Sequence, residues 1–142
     1  MARRDALIQG HIAGNADAIS YVDQALQTVL QPGGTLAWRF TDFPLAQIPL
    51  RGKTGTAEVE GKQSSSWVAT YSPDYVVVMM VSQGGTGSGT SGPFVRKIWE
   101  SLYGVNGKTV DASSAALLGV KAPTGLPVFG KDGSIAPPGG TP

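Results

Sequence analysis

Cysteine is absent from the 142-residue sequence. That excludes disulfides and thiolate-held metals, though it leaves the redox compartment open. Histidine occurs once, at His11, so a Ser-His-Asp triad would have to use that residue as its base, and a zinc site would lack a second imidazole. Charge is also scarce, at 15% of residues with a net charge of +1. This balance offers no electrostatic footprint for nucleic acid, no polybasic patch for a membrane surface, and argues against a coiled coil or a charged disordered chain. The longest apolar run, Tyr75 to Val81, is of strand length and far short of the ~20 residues of a membrane span. After Met1-Ala2-Arg3-Arg4-Asp5 come only three apolar residues before Gln9, too few for the apolar heart of a signal peptide. Neither an export signal nor a membrane anchor is therefore expected in these residues. What is plentiful is glycine, with 20 residues, and proline, with 10, so turns abound. The 41% hydrophobic share allows a core for one domain or for part of a larger one.

Residues 1–14 carry little pattern. From Asp17 to Gln31, Ile19, Val22, Leu26, Val29 and Leu30 recur on one face of a helix, with Asn15 or Asp17 as its cap and Pro32-Gly33-Gly34 as its stop. The connection that follows holds Pro44 and Pro49 and is predicted to include a short strand near Leu36–Phe40. Three strands are predicted next. The first runs from Leu50 to about Glu58. In the second, Ser66 to Ser72, Trp67, Ala69 and Tyr71 share one face. After a Pro73-Asp74 turn, the third spans Tyr75 to Ser82, and its unbroken Val/Met run reads as buried on both faces. Short turns between them imply antiparallel pairing. A Gly/Ser/Thr loop, Gly84 to Gly92, leads into a helix with Pro93 in its first turn. Its apolar face is Phe94, Val95, Ile98, Trp99, Leu102 and Tyr103, an Arg96–Glu100 pair lies on the far side, and Gly104 is its stop. Residues 105–142 hold half of the prolines and one aromatic residue, Phe129, and are read as a flexible tail, with a helical turn over Ala115–Val120.

Lys53-Thr54-Gly55 is the first candidate site. Chance alone gives this tripeptide in roughly one shuffled chain in fifteen, so its setting matters more than its presence. It falls in a predicted edge strand. Gly55 lets a backbone or ligand come close, Thr54 and Thr56 point to one face with hydroxyls about 7 Å apart, and Lys53 adds a positive charge beside them. Free strand-edge N–H groups, two hydroxyls and an ammonium suit a peptide ending in a carboxylate. The plainer reading is a lysine that blunts an edge strand.

The surrounding sequence decides between these readings. Arg51-Gly52-Lys53-Thr54-Gly55-Thr56-Ala57-Glu58, then Ser66-Trp67-Val68-Ala69-Thr70-Tyr71-Ser72-Pro73, then Val76 to Val81, the Gly/Ser loop and the Pro93 helix together resemble the end of a class B penicillin-binding protein transpeptidase domain. The resemblance is closest to elongation-type, PBP2-like proteins of actinobacteria and covers roughly residues 15–104. It implies an α+β fold, a partial antiparallel β-sheet flanked by helices. It also implies D,D-transpeptidation in peptidoglycan cross-linking, without metal or organic cofactor, on stem peptides ending in D-Ala-D-Ala, with β-lactams as mimics and the extracytoplasmic side of the membrane as the location. On this resemblance Lys53 places charge near the nucleophile, the hydroxyls of Thr54 and Thr56 hold the terminal carboxylate beside Gly55, and the Thr56 N–H forms half of the oxyanion hole.

The departures matter equally. Family members carry Ser-x-x-Lys and Ser-x-Asn. Here the residues three before each lysine are Leu50, Val59, Phe94, Val105, Leu118 and Val128, and those two before each asparagine are Ala13 and Gly104. Neither motif occurs, so the chain is read as the C-terminal part of the catalytic domain, inactive by itself, with the nucleophile-bearing N-terminal half as a partner. The alternative is a non-enzymatic carboxylate- or peptide-binding module. Gly87-Ser88-Gly89-Thr90-Ser91-Gly92 also satisfies G-x-G-x-x-G between a strand and a helix, but no parallel strand follows, and the required acid would be Asp111, in tail sequence. It is read as a connection. His11 is read as a solvated loop residue, Trp67 and Trp99 as core, and Arg96-Lys97 as a solvated face.

Overall fold

The computed structural model describes residues 15–116 and, beyond them, the strands Val128–Phe129 and Ile135–Ala136. Residues 1–14, with His11, and most of 117–142 lie outside the described residues, as does most of the sequence-predicted tail. Two compact units are present, Gly14–Leu118 and a smaller one formed by Met1–Ala13 with Gly119–Pro142. In the smaller unit Val128 pairs with Ala136 and Phe129 with Ile135, antiparallel.

In the larger unit helix α1 spans Ala16–Thr28, capped by the Asn15 side chain, which accepts the Asp17 N–H. Only its C-terminal end reaches the core, through Leu30 just beyond it; Ile19 and Val22 of the same stripe stay exposed. The sequence-predicted strand at Leu36–Phe40 is instead a single 3-10 turn, Ala37–Arg39. Leu36 and Phe40, four residues apart, are both buried, a spacing that one helical turn satisfies and strand alternation would equally have permitted.

The sheet is a meander of β1 (Arg51–Val59), β2 (Lys62–Tyr71) and β3 (Val76–Val81), in the order β1-β2-β3 and antiparallel throughout. β1 and β2 are joined by Glu60-Gly61, with Gly61 at positive φ. The β2–β3 turn is fixed by Ser72, whose Oγ accepts from the backbone N–H of Asp74 and Tyr75. Helix α2, Gly92–Tyr103, has Pro93 in its first turn and ends at Gly104 in the left-handed region, as its sequence predicts.

Alternation correctly sorts the strand residues into two faces but assigns the wrong one to the core. Trp67, Ala69 and Tyr71 do share a face, and it is the open one, with Trp67 40% exposed. The buried face carries Ser66, Val68 and Thr70, because α2 lies close against it and fills the space with its own large residue. Trp99 is fully buried, and its indole Nε1 donates to Thr70 Oγ1 at 2.8 Å. β3 is likewise not covered on both sides. Val76, Val78 and Met80 are 73%, 58% and 49% exposed, whereas Val77 is buried.

Residues 105–116, predicted as the start of a tail, form a small hairpin of β4 (Val105–Asn106) and β5 (Thr109–Val110), then a 3-10 turn at Ala112–Ser114. Val105 is buried in the main core. Short paired segments turning at Gly107 need few apolar residues, so composition alone reads them as tail.

Candidate functional site

β1 forms one margin of the sheet, hydrogen-bonded to β2 alone among the described residues. Its register places Lys53 opposite Ala69, Thr54 opposite Val68, Gly55 opposite Trp67 and Thr56 opposite Ser66. Pairing and alternation therefore put Thr54 and Thr56 on the face covered by α2, and Lys53 with Trp67 on the open face. The lysine thus flanks the hydroxyls across the strand. Its side chain is exposed, and Nζ donates to the Thr54 carbonyl at 3.0 Å. Thr56 is exposed. The Thr54 hydroxyl lies 2.9 Å from the hydroxyl of Thr35, in the loop after α1.

Gly55 is packed on both sides. A Cβ there would lie 3.2 Å from Trp67 Cβ, and on the opposite face Gly87 comes so near that its own added Cβ would sit 2.8 Å from the Gly55 carbonyl oxygen. Gly55 and Trp67 both point their side-chain positions to the open face, so the other face is bare backbone at this point, and only a glycine can rest on it.

Gly87 opens a π-helical turn, Gly87–Ser91, that runs into α2. Its polar groups are engaged by the protein itself. Ser66 Oγ donates to the Thr86 carbonyl at 2.9 Å and lies 2.7 Å from Ser91 Oγ in a buried pair. Arg39, stacked over Trp38 at 3.6 Å from the ring centroid, donates to the Ser88 and Gly89 carbonyls at 2.9 and 2.8 Å. Of the G-x-G-x-x-G glycines, Gly87 packs against the sheet, whereas a Cβ at Gly89 would meet Thr86 and one at Gly92 would meet Arg39 and Leu36. Asp111 accepts from the backbone and hydroxyl of Ser113, which holds its carboxyl below the usual range.

A second cluster escaped the sequence reading. Arg51, two residues before Lys53, donates through Nε to both Asp23 oxygens at 3.1 Å and through Nη2 to Oδ2 at 2.9 Å. Tyr71, the cross-strand partner of Arg51, donates its hydroxyl to Asp23 Oδ1 at 2.9 Å. The Arg51 hydrogen bonds, followed by that of Tyr71, hold the Asp23 carboxyl below its ordinary value. Partial burial and then the neighbouring carboxylate push the Tyr71 phenol up. This fork ties α1 to the first pair of the β1–β2 ladder, just ahead of Lys53. Arg51 and Tyr71 could be paired by strand register, but nothing local in the sequence points to Asp23, 28 positions away. The Thr35–Thr54 contact was missed for the same reason.

Among the described residues no three His, Cys, Asp or Glu side chains gather as metal ligands, and no helix is long and apolar enough to cross a membrane.

No curated protein and no solved structure matches the chain. A family model does match. It is that of the penicillin binding protein transpeptidase domain, and it takes in residues 7–100, from before α1 to the last turns of α2. With two thirds of the sequence inside that match, including the Lys53-Thr54-Gly55 strand and the sheet and helices that position it, the chain belongs to the penicillin-binding protein transpeptidase family.

Proposed function

We propose that this chain supplies the Lys-Thr-Gly side of a serine D,D-transpeptidase of the class B, elongation type that cross-links peptidoglycan outside the cytoplasmic membrane. The observation that carries the reading is the edge strand itself. Within a chain of this family, Gly55 is held on both faces, the Lys53 side chain is exposed, and Thr54 and Thr56 stand two residues apart on the same strand.

In this reaction a serine Oγ forms a bond to the penultimate D-Ala carbonyl carbon of a stem peptide. The peptide C–N bond breaks, and the terminal D-Ala leaves with a proton on its nitrogen. An amine of a second stem then attacks the acyl ester and releases the serine. The serine and its lysine come from a Ser-x-x-Lys motif, which the 142 residues do not contain, so a complementary polypeptide segment has to provide it. Lys53 stabilises developing negative charge near that serine. Thr54 and Thr56 receive the substrate's terminal carboxylate, and the Thr56 N–H is one of two donors to the oxyanion. A β-lactam, whose carboxylate imitates that terminus, uses the same groups.

Incubation with a fluorescent penicillin, read on a denaturing gel, tests the assignment. The chain alone should remain unlabelled, and a family polypeptide bearing Ser-x-x-Lys and Ser-x-Asn should label when this sequence completes it. A labelled band at 14.7 kDa from the chain alone would place the nucleophile elsewhere. Lack of labelling in the completed domain, with the peptide still bound, would favour the non-enzymatic carboxylate-binding module.

A further inference from the structure

We propose that Thr35 is a positioning residue for the substrate carboxylate, acting through the hydroxyl of Thr54; this rests on the reading of Thr54 as a carboxylate ligand. The two hydroxyl oxygens are 2.9 Å apart across 19 residues of sequence, and both sit on fixed backbone. Thr54 lies in the β1–β2 ladder opposite Val68. Thr35 is held between two anchored neighbours. The Gly34 N–H donates to the Gln31 carbonyl at 2.8 Å, and the Leu36 N–H donates to the Val29 carbonyl at 2.9 Å. Leu36 is fully buried. Gly34 presses on the carbonyls of Thr28 and Val29 so closely that no side chain fits there. The loop therefore cannot shift without disturbing the end of α1.

The proton count then gives the pair a direction. Each hydroxyl owns one proton and can accept two hydrogen bonds. Within the pair either oxygen can be the donor. A carboxylate only accepts, so when it arrives Thr54 must point its proton outward. Its oxygen is then free to accept from Thr35. The chain becomes Thr35 O–H to Thr54 Oγ1, and Thr54 O–H to carboxylate, in which each bond polarises the next. A neutral amide or ester end presents a weaker acceptor at that position and gains less from the relay. Thr35 thereby favours a free carboxyl terminus without touching it, and it holds the Thr54 side chain in one rotamer before the ligand binds.

Two measurements on the 142-residue chain, carrying Val78→Lys on the open face of β3 as a common background to keep it monomeric, test this. Three-bond couplings report the Thr54 χ1 rotamer, and chemical-shift titration with N-acetyl-D-Ala-D-Ala, and with its C-terminal amide, reports binding. Thr35→Val keeps the shape and removes the hydroxyl. It should release Thr54 into rotamer averaging and weaken the dipeptide about three- to tenfold, the scale of one hydrogen bond between neutral groups, with a smaller effect on the amide. Thr35→Ser should restore both. Thr54→Val, which removes the bond to the carboxylate itself, should cost at least as much, and adding Thr35→Val to it should cost nothing more. An unchanged Thr54 rotamer in Thr35→Val, or additive losses in the double variant, would overturn the proposal. Rotamer release in Thr35→Val, together with a wild-type chain that binds no dipeptide, would instead overturn the carboxylate role of Thr54 while leaving the grip of Thr35 upon it intact.

Discussion

At the scale of the single residue, the Lys-Thr-Gly strand sets an exposed lysine beside a glycine packed on both sides. Lys53 is exposed and makes one bond, to a neighbouring carbonyl, so its removal should be nearly silent in folding. In a completed transpeptidase domain, Lys53→Ala should lower the rate of penicillin acylation by ~10²-fold or more, as expected for loss of one preorganised electrostatic group, with the unfolding midpoint unmoved. An unchanged acylation rate would remove Lys53 from the site. Asp23 behaves in the opposite way. Its carboxyl is held below the ordinary range by Arg51 and Tyr71, so the folded state binds its proton less readily than the unfolded chain does. The stability it contributes is present above the unfolded carboxylate value and disappears as the pH falls through the lowered one. Urea unfolding of wild type and Asp23→Asn should therefore differ near neutrality and converge between about pH 5 and pH 2. A gap that stays constant across that span would show that the fork contributes through packing alone.

Among the elements, the contact between α2 and the sheet depends on a polar bond within an apolar seam. Thr70 accepts the Trp99 N–H and donates to the Val77 carbonyl at 3.2 Å. Thr70→Val keeps the volume but leaves a fully buried indole N–H without an acceptor, and should destabilise by about 1–3 kcal/mol in chemical unfolding; a loss below about 0.5 kcal/mol would mean that the indole finds another partner. The same seam explains how much of the fold could be read from the sequence. Both helices and the three strands announce themselves through period and punctuation, since Pro32-Gly33-Gly34, Pro73-Asp74, Pro93 and Gly104 stop or start each element. That Lys53 to Thr56 lie on a strand at the sheet margin was legible because the motif is contiguous. Parity told which of Trp67, Val68 and Thr70 share a face, but not which face meets a helix, because that depends on whether the sheet or α2 supplies the bulky residue. Thr35, Asp23 and Arg39 were illegible for a related reason. Each does its work on a partner that only the folded chain brings near. Leu36–Phe40 failed at the shortest range, where five residues fit one helical turn and a strand equally well.

For the whole molecule, the described residues leave the outer margin of β3 without a strand neighbour, and its Val76, Val78 and Met80 side chains lie open. Nearby, Phe94 and Ile98 of α2 with Met79 and Leu102 border a shallow apolar hollow of about 420 Å³. Such a margin, uncharged and free of proline, invites strand addition. Light scattering should find the isolated chain self-associating in the micromolar range, and Val78→Lys should shift it towards monomer; a monodisperse wild-type monomer would mean that this surface is already satisfied. The meander has one further consequence, in time rather than in space. Its three strands are consecutive, joined by Glu60-Gly61 and by the four residues 72–75, so closing them costs little chain entropy, whereas seating Trp99 on Thr70 must bring together residues 29 positions apart. The strand bearing Lys53 should thus be assembled early, with α2 docking afterwards. Under dilute conditions, stopped-flow kinetics should show Val68→Ala slowing refolding and Val95→Ala chiefly hastening unfolding. Equal retardation of refolding by both would put α2 in the nucleus. If the order holds, the sheet margin bearing Lys53 is presented before α2 closes behind it, so that anything that pairs with this edge meets it while the rest of the unit is still assembling.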